Sequence, residues 1–319
     1  MTTNQDPVEP PEGAGAGRFA PSPSGDLHLG NLRTALLAWL FARSTGRGFL
    51  VRMEDLDRVA PGADTRQLAD LAAIGLDWDG PVVHQSGRTA RYGAAIAALT
   101  EQGLTYECFC TRREIREAAS APQRARPIGP SADGSYPGTC RDLTGAEVAE
   151  RKSAGRPGAL RLRAQVDHWT IRDELAGTFT GVVDDLVLQR NDGVAAYNLA
   201  VVVDDAAQGI DQVVRGDDLL TSAPRQAYLG SLLGLAPPSY AHVQMVLNVA
   251  GQRLSKRDGA VTLADLAARG VDPPAVLAML AGSLILAHPY ERLTSAQLLE
   301  RFEPARLPAV PWIVQYGLS

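Results

Sequence analysis

A chain of 319 residues is long enough for one large domain or two modest ones, each with a proper core. Hydrophobic residues at 45% and charged residues at 21% match an ordinary soluble globular protein. A formal net charge of −5 excludes nucleic-acid binding by overall charge, so any such contact needs a local basic face, and an ordinary cytoplasmic enzyme is the expected class.

Met1 to Gly17 is acidic, rich in Pro, Gly and Ala and without an apolar run, so a disordered tail is expected there and not a secretory signal. Order is expected from Arg18. The short strand Phe19-Ala20 runs into Pro21-Ser22-Pro23-Ser24-Gly25, a turn that cannot be the interior of a helix or strand. From Asn31 to Ser44, Leu32, Leu36, Leu37, Trp39 and Leu40 form an apolar helical face, and Gly46 can cap its end. Gly48 to Met53 reads as a strand, followed by helices at Thr65 to Ile74 and Arg88 to Gln102. Strand, glycine turn, helix, strand and helix open a parallel α/β sheet. Glu114 to Gly138 shifts to Ala, Pro, Arg, Gly and Ser, the composition least suited to regular structure. Strands are predicted next at Ala159 to Val166, Leu186 to Arg190 and Val194 to Val203, the last two joined by a hairpin turn at Asn191-Asp192-Gly193. Ile210 to Arg215 is a further strand, Thr221 to Leu233 a helix and Val243 to Asn248 a strand. Beyond the glycine-flanked loop Gly251 to Gly259, three helical segments are expected. The longest apolar stretch, Ala275 to Ala287, contains Gly282 and Ser283 and is too short to span a bilayer, so no membrane partner is expected.

Residues with chemistry concentrate in three places. In the turn Pro21 to Asn31, small residues let backbone N–H groups and the positive end of the next helix approach phosphate oxygens. His28 at its mouth can donate to a phosphate whose charge grows during transfer. Alone, a His-x-Gly step is only a turn with a surface histidine. The second place is Arg253-Leu254-Ser255-Lys256-Arg257-Asp258-Gly259, where a lysine on a hinged loop can bring a point charge to a pyrophosphate leaving group. Alone, it is a solvated surface loop. Together, the two segments bracket one phosphate site. The third place holds Cys108, Cys110 and Cys140, too few for a disulfide framework and in keeping with a reducing compartment.

These segments resemble a known family. Pro21 to Asn31, ending in His28-Leu29-Gly30-Asn31, resembles the HIGH-type motif of the class I aminoacyl-tRNA synthetases, with Asn31 in place of the second histidine. Arg253 to Arg257 resembles their KMSKS loop. Arg18-Phe19-Ala20-Pro21-Ser22, Arg52-Met53-Glu54-Asp55-Leu56-Asp57, Tyr197-Asn198-Leu199-Ala200 and Val214-Arg215-Gly216-Asp217-Asp218 are similar to the glutamate-specific branch. The resemblance runs from Arg18 to about Leu263. About sixty residues follow Gly259, too few for the helical anticodon-binding region of discriminating glutamyl-tRNA synthetases. Cys108-Phe109-Cys110 with Tyr136-Pro137-Gly138-Thr139-Cys140 resembles the glutamyl-Q tRNA(Asp) synthetases, a truncated branch that attaches glutamate to queuosine in the anticodon. The loop between Cys110 and Tyr136 is longer than usual for that branch.

The resemblance implies an α/β fold: a Rossmann-like class I catalytic domain in two halves, residues 18–107 and 196–260, around a zinc-binding, acceptor-binding insertion at 108–195. A tail at 1–17 precedes it and a short helical part at 261–319 closes the chain. ATP, with Mg²⁺, is implied at His28, Gly30, Asn31, Ser255 and Lys256. L-Glutamate is implied at Arg18, Phe19, Ala20, Pro21, Ser22, Glu54, Tyr197 and Arg215. Arg18 and Arg215 would clamp its side-chain carboxylate, Glu54 would pair with its ammonium and Tyr197 would wall the pocket, all four at strand ends. Zn²⁺ is implied at Cys108, Cys110, Tyr136 and Cys140. Donor chemistry agrees, since three thiolates within 33 residues suit a tetrahedral zinc. With no histidine between His84 and His168, the fourth ligand is an oxygen or solvent, and Tyr136 is best placed. Three buried, unligated cysteines are the competing reading.

The implied activity is ATP-dependent formation of glutamyl-adenylate and transfer of glutamate to queuosine in the anticodon arm of tRNA(Asp), by a monomer. One competitor is a tRNA-charging glutamyl synthetase without its anticodon domain. Another is a small-molecule nucleotidyltransferase, which needs neither Arg18, Glu54 and Arg215 together nor a zinc subdomain. The Ser255-Lys256 pair speaks against a third, a silent RNA-binding paralogue.

Overall fold

The first two strands and the helix between them are mostly apolar, and they build the centre of the molecule. A computed structural model describes residues 15–119, 136–252, 254, 261–288 and 291–314. β1 (Ala16–Phe19) pairs in parallel with β2 (Gly48–Met53), joined by α1 (Leu29–Ser44). β1 takes in Ala16 and Gly17, which the composition had assigned to the tail. A side chain at 17 would meet the Ala42 methyl at 2.9 Å, so glycine is what lets the strand lie against α1. Leu32, Leu36, Leu37, Leu40 and Phe41 are at most 1% exposed and pack with Phe19, Phe49 and Val51. Each such side chain contributes about 1.5–3 kcal/mol through burial. α2 (Ala63–Ala73), β3 (Val83–His84) and α3 (Thr89–Glu101) follow.

β4 (Thr105–Cys108) leads into α4 (Arg112–Ala119), a helix inside the stretch whose composition predicted irregular chain from Glu114. Residues 120–135, the rest of the long loop, lie outside the described residues. α5 (Gly145–Ser153) is unpredicted, although Thr144 and Glu147 form the reciprocal capping box that T-x-x-E signals. β5 (Ala159–Leu162) is followed by β6 (His168–Asp173) and β7 (Gly177–Val182), an unpredicted hairpin, and by β8 (Val187–Gln189). β4, β5 and β8 form a small antiparallel sheet.

The predicted strand Val194 to Val203 is a helix from Tyr197: α6 (Tyr197–Ala207). The turn before it is real, with Gly193 at φ +84° and a single bridge between Gln189 and Ala195. Beyond that bridge Leu199, Ala200 and Asp204 bury one helical face, and packing overrides the β-branched run at 201–203. β9 (Ile210–Gly216), α7 (Ala223–Leu232), β10 (Ser239–Val243) and β11 (Val246–Leu247) come next. The single strand predicted at 243–248 is broken at Gln244, whose carbonyl accepts from Arg33 at 2.6 Å. α8 (Leu263–Ala267), α9 (Pro273–Ser283) and α10 (Ser295–Arg301) are the three expected helical segments, and β12 (Trp312–Ile313) then pairs with β11.

The large sheet has the order β3-β2-β1-β9-β10-β6-β7, parallel except for β7. The hairpin β6–β7 thus lies on this sheet, although its residues fall in the segment expected as an insertion. Strand order runs outward in opposite directions from β1 and β9, and that is where such sheets open to a ligand. Among the described residues, no helix is long and apolar enough to cross a membrane.

Candidate active site

At the carboxyl ends of β1 and β9 lies a cleft of about 580 Å³. Arg18, Phe19, Ala20, Pro21, Ser22, Glu54, Tyr197 and Arg215 all line it, and so do His28, Gly30 and Asn31. Ser255 and Lys256 lie outside the described residues.

His28 does more than face the cleft. Its Nδ1 accepts from the N–H groups of Gly30 (3.0 Å) and Asn31 (3.3 Å), while Asn31 Oδ1 accepts from the N–H of His28 (3.2 Å). This reciprocal cap starts α1 two residues before the expected Asn31. With Nδ1 an acceptor, the proton of the neutral ring sits on Nε2. Gly30 makes the arrangement possible, since a Cβ there would stand 2.9 Å from His28 Cε1. Asn31 therefore serves the cap through its oxygen, and only its amide NH₂ is left to act as a donor. The turn is also fastened to the late loop: Leu29 donates to the Val261 carbonyl (3.2 Å), and His28 bridges Thr262. Leu254, just before residues 255–260, lines the cleft, and Val261, just after them, is bonded to the turn.

Beneath the cleft lies a buried ion cluster. Arg18, 4% exposed, donates to both oxygens of Asp205 (3.2 and 3.5 Å). Arg52 is wholly buried, 2.8 Å from Asp205, 3.5 Å from Glu54 and 4.0 Å from Asp204. Asp204 also accepts from Arg88, Gln85 and Tyr92. Burial opposes the charge on Arg52, but Asp205, Glu54 and Asp204 outweigh it and hold its pKa above the ordinary value. Burial pushes the Glu54 carboxyl up against the pull of Arg52 and Arg18. Arg18, Glu54 and Arg215 stand at strand ends as expected. Tyr197 does not, because it opens α6.

Arg215 is 5% exposed and is held differently. Its Nε donates to His242 Nε2 (3.0 Å), one terminal nitrogen to Gln226 Oε1 (2.7 Å) and the other to the Leu219 carbonyl (3.4 Å). Burial lowers its pKa. Asp204, Asp205, Asp173, His242 and Gln226 escape sequence reasoning. Nothing local marks them, although Asp204-Asp205 closing an apolar run is a visible anomaly.

The cysteines converge. Cys108, Cys110 and Cys140 bring their sulfurs within 4.8 Å of one another, Cys110 and Cys140 being 3.5 Å apart. Tyr136 Oη stands 3.3 Å from Cys108 Sγ and 3.7 Å from Cys110 Sγ. A tetrahedral zinc with bonds of about 2.3 Å needs sulfurs about 3.8 Å apart, so the donors fit that ion. Hydrogen bonds shared within the cluster pull the Cys108 thiol below its ordinary pKa and push the Cys110 thiol above it. The Arg161 guanidinium lies 3.7 Å over the Tyr136 ring, a cation beside the cluster.

Residues 16–313 match the family described as tRNA synthetases class I (E and Q), catalytic domain. The chain belongs to this family. The glutamyl-Q tRNA(Asp) synthetase of Nocardia farcinica is 66% identical over 307 residues, covering 96% of this chain and 95% of that protein. Glutamate–tRNA ligase 1 of Halorhodospira halophila is 41% identical over 308 residues, 92% of this chain and 64% of that one. The crystal structure of a glutamate tRNA ligase from Elizabethkingia meningosepticum in complex with its amino acid has a TM-score of 0.77 at 28% identity, over 93% of this chain and 66% of that one. This class I synthetase therefore spans about two thirds of both ligases and nearly all of the Nocardia protein.

Proposed function

We propose that this synthetase joins glutamate to ATP as glutamyl-adenylate and passes the glutamyl group to queuosine in the anticodon of tRNA(Asp). The observation that carries activation is one cleft holding a helix-capping histidine, a carboxylate and two buried arginines. An oxygen of the substrate's α-carboxylate attacks the α-phosphorus of ATP, and pyrophosphate leaves. Glu54 meets the ammonium and Arg215, with Arg18, the side-chain carboxylate. His28 donates from Nε2 to phosphate oxygen, and Lys256 brings charge to the leaving group. Mg²⁺ accompanies ATP. A hydroxyl of the queuosine ring then attacks the activated carbonyl carbon, and AMP leaves.

The high identity to the Nocardia protein over nearly its full length supports the queuosine acceptor. The likeness to the Halorhodospira ligase supports a second reading, charging of a tRNA acceptor end. RNA loops are read through splayed bases, so an anticodon stem-loop of tRNA(Asp) carrying queuosine is expected to accept labelled glutamate about as well as the whole tRNA. The unmodified stem-loop and tRNA(Glu) are expected to accept none. Label on the tRNA(Glu) acceptor end would replace this reading by the second.

The cysteine cluster supports a structural zinc held by Cys108, Cys110, Tyr136 and Cys140. Metal analysis of protein purified without chelator is expected to find close to one zinc per chain. Cys140→Ser should release it and loosen the small sheet, because binding and local folding are linked. Tyr136→Phe should weaken binding less, since water replaces a phenolate more easily than a thiolate. Zinc-free protein with an intact small sheet would point to buried, unligated thiols.

A further inference from the structure

The two arginines of the cleft differ in what neutralises them. Arg18 faces Asp205 through two of its nitrogens, so its charge is matched inside the protein. Arg215 has no carboxylate within 4 Å among the described residues, and its partners are an imidazole, a carboxamide and a backbone carbonyl.

Each neutral partner is itself held in the orientation that accepts. His242 Nδ1 lies 2.6 Å from Asp173 Oδ2, and the same carboxylate takes the His242 backbone N–H at 3.1 Å. Hydrogen bonds from His242, Ala176 and Leu175 outweigh burial and keep Asp173 ionised. An ionised Asp173 fixes the imidazole as the Nδ1–H tautomer and leaves Nε2 as the acceptor that Arg215 Nε requires. Burial, added to the nearby cations Arg215 and Arg18, lowers the His242 pKa in spite of Asp173, so the ring stays neutral. Gln226 is fixed likewise: its NH₂ donates to Asn198 Oδ1 at 2.9 Å, which turns Oε1 toward Arg215.

We infer that Asp173, His242 and Gln226 form a cradle that touches Arg215 through neutral groups alone and aims it into the cleft as a cation with no carboxylate in contact, and that this cradle makes the site select an anionic over a carboxamide side chain. None of the three lines the cleft, so each acts through Arg215 as a positioning residue. A fixed cation with no carboxylate in contact gains a charge-assisted pair when a carboxylate enters, whereas a neutral amide gives it none. Arg18, already matched by Asp205, discriminates less.

The inference rests on the proposed activation of glutamate, and the test separates the two. Glutamate- and glutamine-dependent ATP–pyrophosphate exchange are measured on the intact chain and on Gln226→Glu, His242→Leu and His242→Gln. Gln226→Glu keeps size and contact but puts a carboxylate where a carboxamide touches Arg215. It is expected to lower the glutamate-to-glutamine ratio of kcat/KM by at least about tenfold. His242→Leu, without an acceptor, should lower the ratio similarly and raise KM for glutamate more than KM for ATP. His242→Gln, which restores an acceptor, should recover most of it. A merely structural role would depress both amino acids alike and leave the ratio unmoved. That outcome would overturn the cradle. Should His242→Leu fail to fold, Gln226→Glu decides alone. No exchange with glutamate in the unaltered protein would instead overturn the underlying activity, and the cradle with it.

Discussion

Lys256→Ala is expected to slow glutamate-dependent ATP–pyrophosphate exchange by about two to three orders of magnitude, the usual loss when one preorganised charge on a developing anion is removed. Lys256 itself lies outside the described residues, but Leu254 before it and Val261 after it do not. Leu254 lines the cleft, and Val261 and Thr262 are bonded to Leu29 and His28. A lysine between these two positions, beside the capped histidine, is expected to serve the phosphate side of the cleft. Because the charge meets the leaving group most strongly in the transition state, kcat should fall while glutamate binding stays close to that of the unaltered protein. A near-normal rate with only a raised KM for glutamate would take Lys256 out of that role.

Asp205→Ala is expected to destabilise the protein by about 3–5 kcal/mol, the range for removing one partner of a buried ion cluster. Asp205 is the acid that meets both Arg18 at 3.2 Å and Arg52 at 2.8 Å, and neither arginine can turn to solvent. Burial raises its pKa, but the two guanidiniums outweigh that and hold it below the ordinary aspartate value. The sign follows: its contribution is complete above the unfolded aspartate pKa and is lost as pH falls through the lowered folded value. Urea unfolding at neutral pH reads the effect directly. A loss under about 1 kcal/mol would mean that Glu54 and Asp204 neutralise the arginines without it.

Local pattern made some of this structure legible and not the rest. The leucines of α1 and the apolar run of β2 declare themselves because nearly all of their faces are buried. Cys108, Cys110, Tyr136 and Cys140 are legible because donor type and spacing carry the information, and they do converge. The stretch 194–203 misleads because β-branched residues after an Asp-Gly turn imitate a hairpin arm, and only packing around Leu199 and Asp204 decides for a helix. Both roles of His28 lie in one short segment, yet a His-x-Gly-Asn step does not advertise a helix cap. The partners of Arg18 and Arg215 were illegible for a different reason. Asp205 is 187 positions from Arg18, and Asp173 is 69 from the histidine that it orients. No window of sequence holds both members of either pair.

The pairing of β1 with β9 has a consequence for synthesis. At about 5–20 residues per second, the ribosome needs roughly 10–40 seconds after Arg18 to deliver an Asp205 that is 187 residues away. Through most of that interval the nascent chain holds β1, α1 and β2 with no strand on the inner edge of β1 and without the Asp205 that meets both Arg18 and Arg52. The first third of the chain is thus a half-sheet that water must keep solvated until the later strands emerge. The cleft, built across the junction of β1 and β9, is among the last parts of the molecule to exist.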